Sequence, residues 1–127
     1  MSVPAYRLIV TLALVASQPV TAGNDAYVEL QGQHLSHGRA IWLANCEGCH
    51  GYGIAGAPIP MRASHWAPRL DKGKAVLYEH AINGFFGPDD TMMPARGGNP
   101  QLTDQEVMAA VDYMTALATY HIQLKRK

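Results

Sequence analysis

Two thiols and an imidazole stand together in the run Cys46-Glu47-Gly48-Cys49-His50. Cysteines spaced by two residues can each add to one vinyl group of a haem, forming two thioethers, and the histidine that follows is placed to ligate the iron. The rest of the chain disfavours the competing chemistries. A thioredoxin-like redox pair needs a βαβ setting, whereas these flanks read as helical and glycine-rich. A structural zinc site needs two more ligands at similar spacing. The chain has 2 cysteines, both inside the run, and no H-x₃₋₅-H partner. The motif therefore implies one haem c, bound covalently through Cys46 and Cys49, with His50 on the iron.

The opposite face of that iron needs its own ligand, from a point far enough along the chain to wrap round the haem. Met61 lies only 11 residues past His50, too short a reach beside the loop already needed there. Met108 and Met114 fall in a helical pattern, where methionine usually fills core. Met92 and Met93, 42 and 43 residues past His50, lie in a proline- and glycine-rich loop. Thioether ligation of iron gives loop methionines a reason to be there, and spacing does not separate the two. Among the histidines, His34, His37, His65, His80 and His121 are weaker rivals, and His80 is the best placed of them.

The elements that must position these groups are helices and loops. A helix is expected over about 36–46, carrying Ile41, Trp42 and Leu43 into the motif. Gly51–Pro60 is too rich in glycine and proline for regular structure. A short amphipathic helix is expected over about 73–83, ending at Asn83-Gly84. Thr103 and Glu106 form a T-x-x-E capping box. After it, Val107, Val111, Met114 and Ala118 recur at helical spacing. Strand patterns are nearly absent. The fold class is all-α, with about four short helices and long loops that pack on a large buried disc.

The N-terminus has the pattern of an export signal: Arg7, the apolar run Leu8–Ala16, then Val20-Thr21-Ala22 as a small-residue cleavage site. The apolar run is short for a bilayer span, which needs about 20 residues, so an uncleaved anchor is the lesser alternative. Export explains the paired cysteines, since thioethers protect both thiols from oxidation. The expected division is a signal peptide at 1–22, a lead segment at 23–34, a haem-binding domain at 35–122 and a basic tail at 123–127. Beyond residue 22 there remain 9 basic and 10 acidic side chains, a balance with no nucleic-acid footprint.

Several further segments occur in order: Gly56-Ala57-Pro58, Trp66-Ala67-Pro68-Arg69, Ala81-Ile82-Asn83-Gly84, Met93-Pro94-Ala95-Arg96-Gly97-Gly98 and Ala109–Met114. Together with the attachment run, they resemble the cytochrome c5 type of class I (monohaem) c-type cytochromes from about Leu35 to Ala118. The resemblance implies the class I cytochrome c fold and makes Met93, directly before proline, the axial ligand. It also implies that the Pro58 carbonyl receives the N–H of His50, and that Trp66 and Arg69 reach the haem propionates. Gly38 and Trp42 would meet the last helix near Tyr113. The chain departs from the pattern twice. Asn99-Pro100-Gln101 lacks the cysteine pair many relatives carry there, so packing and turn residues must hold the loop. The stretch Phe85–Thr91 is longer than usual.

Closed His/Met coordination leaves no site for substrate and favours the reduced iron. The expectation is a periplasmic one-electron carrier rather than an enzyme. It would be a monomer or weak dimer with no membrane span after cleavage and no nucleic-acid partner, meeting redox proteins transiently at the haem edge. Arg62, Arg69, Lys72, Lys74 and Arg96 are candidates for steering an acidic partner. The alternatives are a haem c subunit of a larger oxidoreductase and, further off, a small-ligand haem sensor or enzyme.

Overall fold

The structure is a computed structural model, and it describes Met1 and residues 26–127. The expected signal peptide at 1–22 lies, apart from Met1, outside the described residues. Five helices follow in order: α1 (Gln33–Asn45), α2 (Glu47–His50), α3 (Ala63–Leu70), α4 (Lys74–Asn83) and α5 (Asp104–Leu124). Short 3-10 turns lie at Ile54–Gly56 and Ala95–Gly98, and strands β1 (Phe85–Phe86) and β2 (Met92–Met93) form one antiparallel hairpin. The architecture is all-α, as the sequence implies.

Helix α5 forms where the pattern places it. The Thr103 hydroxyl accepts the Glu106 backbone N–H at 3.2 Å, and the Glu106 carboxylate accepts the Thr103 N–H at 2.8 Å. This reciprocal pair satisfies two otherwise orphaned donors at the helix start. Val107, Ala110, Val111, Met114, Leu117 and Ala118 are all buried along its inner face. Helix α1 crosses that face with Gly38 at the contact. A Cβ at Gly38 would fall on the Ala109 carbonyl, 2.7 Å from its carbon, and 3.3 Å from the Tyr113 Cβ. Only a residue without a side chain lets the backbones meet this closely. Beside the crossing, Trp42 and Tyr113 stand 5.8 Å apart between ring centroids, and Tyr27 meets Trp42 edge-on at 5.0 Å. Trp42, Tyr113 and Leu117 are fully buried. They anchor the packing that fixes the approach to the haem motif.

Helix α1 starts at Gln33, nearly a turn before the expected start near Ser36, because the segment ahead of it is tied to the helices. The Tyr113 hydroxyl donates to the Val28 carbonyl at 3.0 Å, and Arg39 donates to the Tyr27 carbonyl at 3.0 Å. His121 pairs with the Ala26 carbonyl at 3.0 Å. Tyr27 is 5% exposed, so this part of the lead segment belongs to the core. Helix α3 has no counterpart among the expected elements. It carries Pro68 inside it and buries Trp66. Helix α4 ends at Asn83 with Gly84 at φ 85°, as the Asn-Gly stop implies.

Candidate haem site

Helix α1 delivers the motif directly. Cys46 follows its last residue, and the short helix α2 carries Cys49 and turns His50 inward, leaving it 6% exposed. His50 Nδ1 lies 2.9 Å from the Pro58 carbonyl. A carbonyl only accepts, so Nδ1 carries the proton and Nε2 keeps a free lone pair. Burial lowers the His50 pKa and the Arg69 charge lowers it further, against the raising effect of the Pro58 bond; the net direction is down. The imidazole is therefore held in the neutral, metal-ligating form. Burial, with Cys49 nearby, pushes the Cys46 thiol up to about 11, the mark of an apolar surrounding.

A small cavity of about 20 Å³ joins the motif to the ligand loop, and its wall includes Cys46, His50, Met93, Val111 and Met114. Met93 reaches it because β2 alternates. Met93 is half-buried and lines the cavity, whereas Met92 is 53% exposed. Met114 also lines it, from the buried face of α5. None of the five other histidines does. His80 instead stacks on Phe85 at 4.0 Å between ring centroids, and His65 Nδ1 accepts the Ile59 N–H at 3.1 Å.

The loop after Met93 is fastened without disulfides. Arg96, at φ 56°, donates to the Leu102 carbonyl at 2.8 Å and to Asp104 at 2.6 Å. Asn99 donates to the Asn45 side chain at 2.8 Å, and its own oxygen accepts the Gln101 N–H at 3.0 Å. Gly97 lies so close to α1 that a Cβ would come within 2.7 Å of the Asn45 carbonyl oxygen. The loop thus spans from the end of α1 to the start of α5. Sequence reading named Arg96 only as a steering charge. Its anchoring role depends on Asp104, eight residues away, and no local pattern announces it.

Of the residues expected at the haem, Cys46, His50 and Met93 share the cavity, Cys49 is exposed on α2 and does not line it, and Pro58 is tied to it through His50. Trp66 is 2% exposed, and its indole N–H has no hydrogen-bond partner. A buried donor left alone costs about 1–3 kcal/mol; the buried Trp42 indole N–H is unpaired as well, and Trp66 does not line the cavity. Arg69 donates to the His65 carbonyl and is half-buried. It does not line the cavity, and its effect on His50 is through charge. An apolar wall, a histidine nitrogen left free and a methionine sulfur, beside the paired cysteines, are the groups that would hold a haem.

The family model described as cytochrome c oxidase, cbb3-type, subunit III matches residues 33–114. The chain belongs to the cytochrome c family. Cytochrome c-555 of Prosthecochloris aestuarii is 42% identical over 89 residues, covering 68% of this chain and 90% of that protein. Cytochrome c-555 of Chlorobaculum tepidum is 38% identical over 105 residues, covering 83% and 92%. The cytochrome c in a solved electron-transfer complex with nitrite reductase superposes with a TM-score of 0.57 at 33% identity, covering 65% of this chain and 94% of its own. This cytochrome is accordingly a monohaem class I electron carrier with covalently bound haem c, Cys46 and Cys49 forming its attachment pair. No helix among the described residues is long and apolar enough to cross a membrane.

The structure gives most of the candidate steering charges a partner within the chain. Lys74 is bound to Asp112 at 2.6 Å, Arg96 to Asp104, and Arg69 to a carbonyl. Lys72 stands over the Phe85 ring at 6.0 Å. Arg62 has no ion-pair partner among the described residues.

Proposed function

We propose that this cytochrome is an exported carrier of a respiratory or related electron-transfer chain, with His50 and Met93 as the axial ligands of its iron. The observation that carries the reading is the pairing, in one cavity, of a histidine whose Nδ1–H is committed to Pro58 with a methionine from the ligand loop. Haem c supplies a one-electron Fe(II)/Fe(III) couple there. The protein's part is to hold both ligands through the change. Pro58 fixes the His50 ring and raises its basicity. The Arg96 and Asn99 anchors keep Met93 from swinging out, and the apolar wall excludes water. Trp66 offers a propionate its indole N–H, while Arg69 contributes a positive charge nearby. The thioether favours the reduced iron and raises the potential.

The export pattern supports removal of residues 1–22 and work in the periplasm. The domain proper then runs to about residue 122, with 123–127 as a basic tail. The structural neighbour's place in a complex with nitrite reductase supports transient docking to a redox enzyme at the haem edge. The match to an oxidase-subunit family model favours a second reading, a haem c subunit of a larger complex, which co-purification of a catalytic partner would support. The test of the carrier reading is voltammetry of the haem-loaded protein. A reversible one-electron wave with no uptake of carbon monoxide by the reduced form is expected. Ready carbon monoxide binding would mean an open iron and a sensor or enzyme.

A further inference from the structure

The stretch Phe85–Met93 makes the β1–β2 hairpin. Its register opposes Phe85 to Met93 and Phe86 to Met92, and directly opposed residues share a face. The Phe85/Met93 face is the less exposed one: Phe85, still 38% exposed, stacks on His80, and Met93 is half-buried and lines the cavity. The other face puts Phe86 in solvent at 83% exposure and Met92 at 53%. A second apolar pair adjoins it. Tyr52 and Ile54, just after His50, are 65% and 55% exposed, and their turn meets the hairpin where a Gly56 Cβ would come 2.9 Å from Thr91 Cγ2. Exposed apolar side chains grouped in this way mark interaction surfaces. These come from the two segments that carry His50 and Met93.

Charge at the tip specifies the partner further. Asp89 and Asp90 both sit at φ 58°, a conformation that non-glycine residues rarely adopt. The turn is held by Gly87 N–H to the Thr91 carbonyl at 2.8 Å and by the Thr91 hydroxyl to the Pro88 carbonyl at 2.8 Å. Both carboxylates are exposed and have no ion-pair partner among the described residues. Lys72, a cation beside the hairpin, lies over the Phe85 ring rather than pairing with either aspartate.

We propose that the outer face of this hairpin is the docking element for the redox partner, and that it fits a partner face that is apolar at its centre and basic at its rim. The proposal rests on the electron-carrier reading and names the partner chemistry of that same site. The apolar pair supplies contact beside the ligand strand, and the aspartates steer and register a cationic rim.

Gold electrodes bearing mixed methyl/ammonium or methyl/carboxylate monolayers stand in for the two kinds of partner face. The haem-loaded wild type should adsorb in electroactive form on methyl/ammonium at least about tenfold more than on methyl/carboxylate, within the range of electrostatic steering. Asp89→Asn/Asp90→Asn should remove most of that preference. Phe86→Ser/Met92→Gln should lower adsorption on both surfaces while leaving the solution midpoint potential unchanged. A wild type that prefers carboxylate, or double variants that adsorb as the wild type does, would overturn the proposal. Absence of any reversible couple in free solution would instead sink the carrier reading.

Discussion

Gly38→Ala tests the helix crossing that carries the haem motif. The added methyl carbon would stand 2.7 Å from the Ala109 carbonyl carbon, against an optimum of about 3.5–4.0 Å. The clash is with backbone inside a helix, so no rotamer change relieves it, and α1 and α5 must separate by about 1 Å. A gap of that size forfeits about a quarter to a half of each contact it opens, including those of Trp42 with Tyr113. Overpacking of this kind costs about 1–3 kcal/mol, partly offset by the gain of about 0.8–1.0 kcal/mol from alanine in a helix. With the secondary loss at Trp42, a net cost of about 2 kcal/mol follows. For a domain of this size that lowers Tm by roughly 10 °C. Gly48→Ala is the internal control, because a Cβ there meets nothing within 4 Å. Its effect should stay within about 0.5 kcal/mol. Guanidinium and thermal unfolding of both haem-loaded variants, followed by circular dichroism, measures the difference. Equal stability of the two would refute the crossing geometry.

Trp66→Phe should destabilise the haem-loaded protein by about 0.5–1.5 kcal/mol, the net worth of a hydrogen bond; a neutral or stabilising result in chemical denaturation would mean that its N–H bonds nothing. Asp112 is pushed up by burial but pulled further down by hydrogen bonds from Lys74, Tyr78 and His34, so its pKa is lowered overall. Its contribution is therefore fully present above the unfolded aspartate value of about 3.9 and is lost as pH falls through the folded value. The stability gap between wild type and Asp112→Asn should accordingly be full at pH 6 and shrink progressively as pH falls below about 3.9 in urea titrations. Arg96→Ala removes two anchors of the ligand loop and should let imidazole displace the methionine at about tenfold lower concentration, the equivalent of one charged hydrogen bond; Arg96→Lys should recover part of this in a spectroscopic titration.

Local signals were readable where the physics is local. The Thr103–Glu106 box and the periodic face of α5 need only neighbouring residues, and both are present. The Asn83-Gly84 stop is equally local. Helix α3 escaped notice because Pro68 interrupts it and only Trp66 and Leu70 mark its apolar stripe. The hairpin escaped because two-residue strands are too short to show alternation. The packing of Ala26–Val28 depends on Tyr113 and His121, more than 80 residues away, and no window of sequence contains both. At the site, the covalent spacing of Cys46, Cys49 and His50 makes their role legible at once. Spacing left Met92 and Met93 equal; the resemblance chose Met93, and strand alternation shows why the choice is physically reasonable. The loop anchors Arg96–Asp104 and Asn99–Asn45 are tertiary pairs and had no sequence signature.

The central claim is that His50 and Met93 close the two axial positions of the haem iron. Its most direct measurement is the near-infrared absorption of the oxidised protein in wild type, Met93→Ala and Met92→Ala. The account predicts a sulfur-to-iron charge-transfer band in the wild type, its loss in Met93→Ala and its retention in Met92→Ala. A band that survives Met93→Ala, or vanishes in Met92→Ala, would contradict it.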